Sequence, residues 1–486
     1  MTKRFTLTAA VALTVAAAMA APTTSAFAAK KKTVTKKPKV TTTTTAKPVA
    51  TTVAPVTTKA TPPASGAAIL AKDATDGKGA EYFNARLNAA ATKPLVASGD
   101  PIVIGLRNTE GNAGGSFPDA REGAEAAVKF INEKLGGVGA DPATGKAGRP
   151  IKIEKCIDQL VPDQATSCAQ TLASKNPAAI YIGIDFFTAL EYATYSKFAV
   201  FNSLPISSAD WNNPSVIDVG GGCVSAFPSG MLAMQKAGAK KVAIAYSDNA
   251  PGNQCYSLTQ KPILEELGVP VDGFPFTPGS PDLSAVAQKI IDSKADFVEF
   301  GVADIDCAKL FTSLKQLGYK GSIWAAGSCY NKARIKEVGD AADGVVFGFI
   351  GYSADLSPAD VPAYGALEAK AVETGLDAGG VTNKTGFARF NFARFMFVWE
   401  LAEEVAKSGR TINSDNLRAQ GDQAKNHHMM ASQQVDCSAK ITGYISACEF
   451  IGGYYKYSSK DGSLTKVFDN VDPRDVLRKV GPKLPK

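Results

Sequence analysis

Residues 101–137 read PIVIGLRNTEGNAGGSFPDAREGAEAAVKFINEKLGG, and this stretch decides the fold class. The short apolar run 102–106 predicts a strand that is buried on both faces. A polar, glycine-rich loop follows it, and then apolar residues recur at helical spacing. Ser116 and Asp119 have the spacing of a capping box at the start of that helix. A strand, a loop and a helix in this order predict one unit of an α/β fold.

The same alternation continues through most of the chain. Short strands joined by helices predict right-handed βαβ units and parallel sheets. The glycine run 220–222 interrupts the series, so we expect two similar α/β lobes. A hairpin is predicted for 454–467. The other strands are predicted at 151–154, 179–183, 199–201, 242–246, 297–300, 323–326 and 345–350.

The most apolar helix candidate is 387–406. Charged side chains interrupt it, which argues against a membrane span and favours a packed helix with these charges on its wet face. They are Arg389, Arg394, Glu400, Glu403 and Glu404.

The N-terminus has the pattern of an export signal. Lys3 and Arg4 precede the apolar run 7–21, and Ala-Phe-Ala at 26–28 fits a cleavage site. We expect a signal peptide at 1–28 and a periplasmic or other cell-envelope location. An uncleaved membrane anchor remains the alternative.

Residues 29–65 are rich in Thr, Lys, Pro, Ala and Val and contain no aromatic residue. This composition cannot bury a core, so it predicts a disordered tether. The tether either holds the body away from a membrane or wall or is a linker without a specific partner. A peripheral helical segment is predicted for 66–99, and the folded body is expected to begin near Asp100.

The net charge of +7 is concentrated in the tail. Residues 1–65 carry ten Lys or Arg and no acidic residue, whereas the other 421 residues carry 43 basic and 46 acidic side chains, a net charge of −3. The body therefore lacks the basic character of a nucleic-acid-binding protein.

The eight cysteines suggest disulfides, because an even number in an exported chain is typical of a bonded framework. Eight cysteines permit 105 pairings, so the sequence does not settle which pairs form. Free buried thiols also remain open. Pairing of neighbours is the simplest hypothesis: Cys156–Cys168, Cys223–Cys255, Cys307–Cys329 and Cys437–Cys448.

Signals for catalysis and for metal binding are poor. The only two histidines, His427 and His428, are adjacent, so on a helix their side chains diverge. The sequence has no G-x-S-x-G, H-E-x-x-H, Walker or G-x-G-x-x-G motif. We therefore expect a binding protein that is not an enzyme and uses no metal and no cofactor.

Four further stretches, together with 101–137, carry a family resemblance: IKIEKCIDQLVPDQATSCAQTLASKNPAAIYIG, KKVAIAYSDNAPGNQCYS, ADFVEFGVADIDCAKLFTSLKQLGYKGSIWAAG and GDAADGVVFGFI. In order and pattern they resemble the branched-chain-amino-acid-binding receptors of ABC transporters, which have the type I periplasmic binding protein fold. The resemblance covers residues 100–470. It implies two Rossmann-like lobes with parallel sheets, joined by a crossover hinge, that close over a solute. The lobes would be 100–222 with 354–440, and 223–353 with 441–486.

The resemblance also implies a monomeric receptor that delivers a small polar solute, an amino acid or a related amide or acid, to an ABC permease in the membrane. A sensory or cell-surface module on the same fold is the alternative, and an exported enzyme is a third. Ligands of open α/β sheets bind at the carboxyl ends of strands. The positions that match the family's contacts lie in such loops: Ser116, Phe117, Asp185, Phe186, Ser207, Ser208, Asp248, Asn249 and Asp304.

One departure from the family concerns the acid that pairs with the ammonium group of an amino-acid ligand. The family places it after the strand that matches 323–326, but here 325–330 contains no acid. Either Asp304 or Asp306 substitutes for it, or the ligand is not an α-amino acid. An amide, a short peptide, a urea-like compound or an aromatic acid would then be expected.

Overall fold

A computed structural model describes residues 78–112, 115–300 and 304–485. The predicted signal peptide 1–28, the tether 29–65 and the first part of the segment 66–99 lie outside these residues. Among the described residues, none of the helices combines the length and the apolar character needed to cross a membrane.

The first lobe is built on a five-stranded sheet with the strand order β2-β1-β3-β4-β5. Every neighbouring pair of its strands is parallel, as the alternation of strands and helices predicted. β5 was not predicted. The strands are β1 (Ile102–Thr109), β2 (Ile151–Asp158), β3 (Ala179–Ile182), β4 (Val200–Asn202) and β5 (Val216–Asp218).

The second lobe is built on a seven-stranded sheet with the order β12-β11-β10-β9-β8-β6-β7. Its strands β6 to β10 are parallel, and the predicted hairpin adds β11 and β12 antiparallel at one edge. β7 was not predicted, because its sequence VDGFPF contains Gly and Pro, which are depleted in strands. The strands are β6 (Val242–Ser247), β7 (Val271–Phe276), β8 (Phe297–Phe300), β9 (Ser322–Ala326), β10 (Val346–Phe349), β11 (Gly452–Tyr457) and β12 (Leu464–Val471).

Helices cover both faces of each sheet, which gives each lobe an apolar core on either side of its sheet. In chain order they are α1 (Lys78–Thr92), α2 (Pro118–Glu133), α3 (Pro162–Ser174), α4 (Thr188–Tyr195), α5 (Ser208–Trp211), α6 (Phe227–Lys236), α7 (Ala250–Cys255), α8 (Lys261–Glu266), α9 (Ser284–Asp292), α10 (Asp304–Gln316), α11 (Lys332–Val338), α12 (Ala363–Gly379), α13 (Gly386–Lys407), α14 (Ser414–Asp422) and α15 (Arg474–Val480). Two π-helical turns, Gly222–Ala226 and Tyr256–Gln260, extend α6 and join α7 to α8.

The chain passes from β5 towards the second lobe through the glycine run 220–222. A methyl group on Gly220 would lie 1.3 Å from the carbonyl oxygen of Ser203, and one on Gly222 would lie 2.1 Å from that of Pro205. Gly222 also has a φ of +41°, which favours glycine. The glycine break in the sequence therefore marks a crossover that runs in contact with backbone of the first lobe.

The charges of α13 correct one expectation. Four of them are buried rather than on a wet face, because α2 covers one side of α13 while α1 and the segment near residue 430 cover the other. Buried charges need partners, and each of these has one. The pairs are Arg394–Glu449, Glu400–His428, Glu403–Arg86 and Glu404–His427.

Four disulfides join neighbouring cysteines, the pairs that the simplest hypothesis named: Cys156–Cys168, Cys223–Cys255, Cys307–Cys329 and Cys437–Cys448. Each lies within one lobe or beside the crossover, so each stabilises a local loop by restricting the unfolded chain.

Candidate functional site

A cavity of about 530 Å³ lies where the loops that follow the strands of the two sheets meet. This is the edge at which ligands of open α/β sheets bind, and its size is within the range of small-molecule sites. Its aromatic lining from the first lobe is Phe117, Phe186, Phe387 and Phe390, and that from the second lobe is Phe227, Tyr246, Tyr330 and Phe349, with Tyr352 beside them.

Aromatic rings form the first-lobe wall of the cavity. Phe117 stacks on Phe186 with 5.9 Å between ring centroids, and it meets Phe387 edge-on at 5.6 Å. Opposite them, Tyr330 meets Phe349 edge-on at 5.4 Å. Ile184, Leu204, Ile206 and Ile350 add aliphatic surface. The lining is therefore mostly apolar, which suits the burial of an apolar solute.

Asn108, at the end of β1, fixes the position of the aromatic wall. Its side-chain oxygen accepts a hydrogen bond from the Ile184 amide at 2.9 Å, and its Nδ2 donates to the carbonyl oxygen of Phe117 at 2.7 Å. One buried side chain thus ties together the two loops that carry Phe117 and Phe186.

Behind this wall lies a fully buried cation, Arg107. Its guanidinium donates to Glu191 at 2.8 Å, to Asp185 at 3.2 Å and to Asp158. Burial raises the pKa of Glu191 to about 9, and the charge of Asp185 adds to this effect, whereas Arg107 opposes it. The three acids lie close enough together to hold a metal ion, but the guanidinium already supplies the cation that they need. The cluster therefore acts as a rigid support for the wall.

The loop after β4 directs its donors into the protein. The backbone N–H groups of Ile206 and Ser207 donate to the Asp210 carboxylate at 3.0 and 2.8 Å, and the Ser207 hydroxyl donates to the same oxygen at 3.0 Å. The Ser208 amide donates across the cleft to the Gln254 side chain at 2.8 Å. These groups would otherwise suit a ligand carboxylate, but they already have partners.

The structure brings four of the nine predicted contact residues to the cavity: Ser116, Phe117, Phe186 and Asn249. Four others do not line it: Asp185, Ser207, Ser208 and Asp248. Asp304 is the first residue of α10, and its side chain lies outside the described part of the chain.

The predicted capping box at Ser116 is wrong. The residue that caps α2 is Phe117, whose side chain makes no capping hydrogen bond, and Ser116 instead accepts a hydrogen bond from the Gly111 amide at 2.8 Å. Pro118 at the first helical position makes a side-chain cap less necessary, because it has no N–H group to satisfy. Ser116 therefore remains exposed beside the cavity.

Asp306 is the acid that lines the second-lobe side of the cavity. Its two oxygens already accept hydrogen bonds from the Gly279 amide at 3.0 Å and from the Lys309 ammonium at 3.2 Å. Of the two acids considered as substitutes for the missing one, Asp306 is therefore near the ligand space but is already neutralised by a lysine.

Sequence reasoning missed the contribution of α13 to the cavity lining, which includes Phe387, Arg389, Phe390 and Arg394. Arg389 forms an ion pair with Glu373 of α12. The sequence FARFNFARF, which begins at Phe387, repeats aromatic residues and arginine and could have signalled a second function for a core helix.

Comparison with known proteins is consistent with this architecture. The family model described as periplasmic binding protein matches residues 101–434. No curated protein matches the sequence.

Several solved structures are similar. A fatty acid ABC transporter substrate-binding protein from Thermomonospora curvata is 14% identical, with a TM-score of 0.61, and the match covers 79% of this chain and 96% of the other. A leucine-binding protein from Thermotoga maritima is 15% identical, with a TM-score of 0.54 and coverage of 77% and 99%. A branched-chain amino acid transporter substrate-binding protein from Streptococcus pneumoniae, in complex with isoleucine, is 16% identical, with a TM-score of 0.54 and coverage of 76% and 99%. At these identities the likeness establishes the fold, and with the family match it assigns the chain: it belongs to the periplasmic binding protein family, whose members are extracytoplasmic binding proteins and not enzymes.

Proposed function

We propose that this protein captures a small, largely apolar solute between its lobes and delivers it to an ABC importer. The observation that carries the proposal is the cavity of about 530 Å³ with aromatic walls from both lobes. Burial of apolar surface drives the binding of such a solute at roughly 25 cal/mol per Å².

The polar groups around the cavity argue against a free amino acid. The amides of the loop after β4 are bonded to Asp210, and Asp306 is paired with Lys309. A zwitterion would have to displace these contacts, and a buried charge without a partner is costly. The sequence favoured a small polar solute, but the lining favours a solute with a larger apolar part.

Contacts between the lobes on two sides of the cavity support closure over the solute. The Ser208 amide bonds to Gln254, and the start of α13 at Gly386 approaches the carbonyl oxygen of Gly327. A solute that touches both walls gains contact area only when the lobes are together. Binding therefore shifts the equilibrium towards the closed state, because the solute binds that state with a more favourable free energy.

Delivery to an importer is supported by the family and by similar structures of ABC transporter substrate-binding proteins. A membrane permease would recognise the closed form, and ATP hydrolysis would take place on another subunit. Loss of this protein should therefore abolish cellular uptake of its solute. Unchanged uptake in a deletion strain would contradict delivery.

A thermal-shift screen of the secreted chain tests solute binding. The panel contains aromatic and aliphatic amides, alcohols and acids together with the free amino acids. A ligand at 100 times its dissociation constant adds about 2.7 kcal/mol, which raises the Tm of a body of this size by about 3 °C. We expect hits among the apolar compounds, and the Phe117→Ala variant should lose them.

Leu190→Ala is the matched control, because Leu190 is an exposed apolar residue that does not line the cavity. It should retain the hits. Stabilisation by free polar amino acids alone would contradict the proposal.

A further inference from the structure

We propose that the solute carries a carboxylate, and that Arg389 of the first lobe and Tyr330 of the second hold this group between them. The inference rests on the proposed function, because it names the polar end of an otherwise apolar solute. The ligand class is then a hydrophobic monocarboxylic acid.

Arg389 lines the cavity from the first turn of α13, and its side chain is 25% exposed. One edge of its guanidinium is taken: Nε donates to Glu373 Oε1, and Nη2 lies 3.4 Å from Glu373 Oε2. The remaining nitrogen, Nη1, bonds to none of the described residues. A guanidinium with a free edge in an apolar cavity is suited to a carboxylate, which it can bind through two parallel hydrogen bonds.

The other arginine at the cavity, Arg394, is more deeply buried and more tightly paired, although its Nη1 also bonds to none of the described residues. Its side chain is 2% exposed, its Nη2 lies 2.5 Å from both oxygens of Glu449, and its Nε donates to the carbonyl oxygen of Val219 at 3.1 Å. Its guanidinium also lies 4.1 Å from the centroid of the Phe390 ring. Arg394 is therefore fixed by the protein, and Arg389 is the cation that can serve a ligand.

Tyr330 supplies the second donor. The residue lines the cavity and is only 4% exposed, because its ring packs edge-on against Phe347 and Phe349. Its hydroxyl makes no hydrogen bond to any described residue. Because Tyr330 lines the cavity and its hydroxyl has no partner among the described residues, this hydroxyl is available to donate to a ligand.

Arg389 and Tyr330 line the same cavity, one from each lobe. Burial and the charge of Asp355 raise the pKa of the Tyr330 hydroxyl, whereas the positive charge of Arg389 lowers it. The net direction is upward, so the hydroxyl stays neutral and can donate a hydrogen bond. A cation and a neutral donor on opposite walls match the two oxygens of a carboxylate, and holding that group draws the lobes together.

Glu373 is the internal competitor for this position. Its carboxylate forms ion pairs with both Arg389 and Lys384, and the Lys384 ammonium lies 3.6 Å from Glu373 Oε2. Removing the Glu373 charge should therefore raise the affinity for a ligand anion, whereas removing Arg389 should lower this affinity. These opposite signs separate a ligand site from a purely structural ion pair.

The experiment is isothermal titration of the secreted chain with two acids, 4-phenylbutanoic acid and decanoic acid, and with their primary amides. We expect the wild type to bind each acid more tightly than its amide. Arg389→Met should weaken the acids by about 10- to 100-fold, which is the usual effect of losing a hydrogen bond to a charged group, and should leave the amides nearly unchanged. Tyr330→Phe should act in the same direction, and Glu373→Gln should tighten the acids.

Lys384→Met is the matched control, because it removes a neighbouring cation that does not line the cavity. It should leave the preference for acids intact, and thermal melts establish that each variant is folded. Equal binding of acids and amides by the wild type would overturn the carboxylate site and leave the proposed function standing. Equal losses for acids and amides in Arg389→Met would also overturn it. Failure of all four compounds to bind would overturn both.

Discussion

Raising the pH from 6.5 to 9 should destabilise the first lobe through His427 and His428. Both rings are fully buried, and both nitrogens of each ring contact an acceptor. His427 Nε2 lies 2.6 Å from a Glu404 oxygen and Nδ1 lies 2.5 Å from the His428 carbonyl oxygen. His428 lies between two carboxylates, those of Glu400 at 2.8 Å and Glu368 at 3.0 Å. Only doubly protonated rings can donate all four hydrogen bonds.

The size of the effect follows from the pKa shifts. Burial lowers the pKa of His427, but the charge and hydrogen bond of Glu404, the charge of Glu400 and the hydrogen bond to the His428 carbonyl together raise it by more, to about 8 from the ordinary value of 6.5. The pKa of His428 is raised well above that value, with Glu400 and Glu368 opposing the effect of burial. A raised pKa contributes stability that is complete below pH 6.5 and is lost as pH rises through the folded value. At about 1.4 kcal/mol per pKa unit, His427 alone accounts for about 2 kcal/mol between pH 6.5 and 8.

The assay is guanidinium unfolding followed by tryptophan fluorescence at intervals from pH 6.5 to 9. Trp399 lies on α13 in the same core as the histidines, whereas Trp211 and Trp324 lie in another core, so the fluorescence follows the unfolding of both. The free energy of unfolding should fall with rising pH in the wild type. The His427→Gln variant should be less stable at pH 6.5 and should lose most of this dependence up to pH 8. A flat wild-type profile, or an equal slope in the variant, would refute the assignment of charged histidines.

Three other predictions concern the crossover and the core. Replacing Cys223 and Cys255 with serine removes a disulfide that spans 32 residues, so we expect a loss of about 3.5 kcal/mol in chemical unfolding and weaker solute binding; unchanged stability would contradict a structural role for the bond. Gly222→Ala should cost about 1–3 kcal/mol because of its positive φ and the nearby backbone, and a neutral effect on Tm would show that the crossover can move aside. Arg394→Met leaves Glu449 buried without its cation and should cost about 3–5 kcal/mol in denaturant unfolding, whereas a loss below 1 kcal/mol would mean that Glu449 is protonated.

Sequence patterns were sufficient for the fold because it depends on repeated local signals. A strand such as β1, buried on both faces, appears as an unbroken apolar run, and the helix after it shows clear spacing. The patterns failed where the signal was short or mixed. β5 has three residues and pairs in register with β4, and β7 contains Gly and Pro and pairs in register with the six-residue β6. Pairing with neighbouring strands stabilises β5 and β7, although their local sequences do not favour a strand.

The buried charges of α13 were misjudged because sequence alone does not show their partners. Glu403 meets Arg86 from α1, and Arg394 meets Glu449, which is 55 residues away along the chain. A charged side chain is stable in the core only when a partner from elsewhere in the chain packs against it. The helical pattern does not reveal that partner, so it predicts that charged residues lie on the exposed face of the helix.

The location of the candidate site was predictable from the sequence, but the chemistry of its lining was not. The loops after the strands do form the cavity, as the topology of parallel sheets requires. Which side chains enter it depends on competition for hydrogen bonds. Ser207 bonds to Asp210 and Asp185 bonds to Arg107, so neither Ser207 nor Asp185 lines the cavity. The rings of Phe117 and Phe186 have no polar group that needs a partner, and they line it. The aromatic rings rather than the polar groups therefore set the character of the site.

The most direct test of solute capture by closure is small-angle scattering of the secreted chain with and without the tightest-binding apolar compound from the thermal-shift screen. Contacts to both walls predict that the radius of gyration falls when the compound binds, and that it falls less in the Phe117→Ala variant at equal saturation. A scattering profile that stays the same at full saturation would contradict capture by closure of the two lobes.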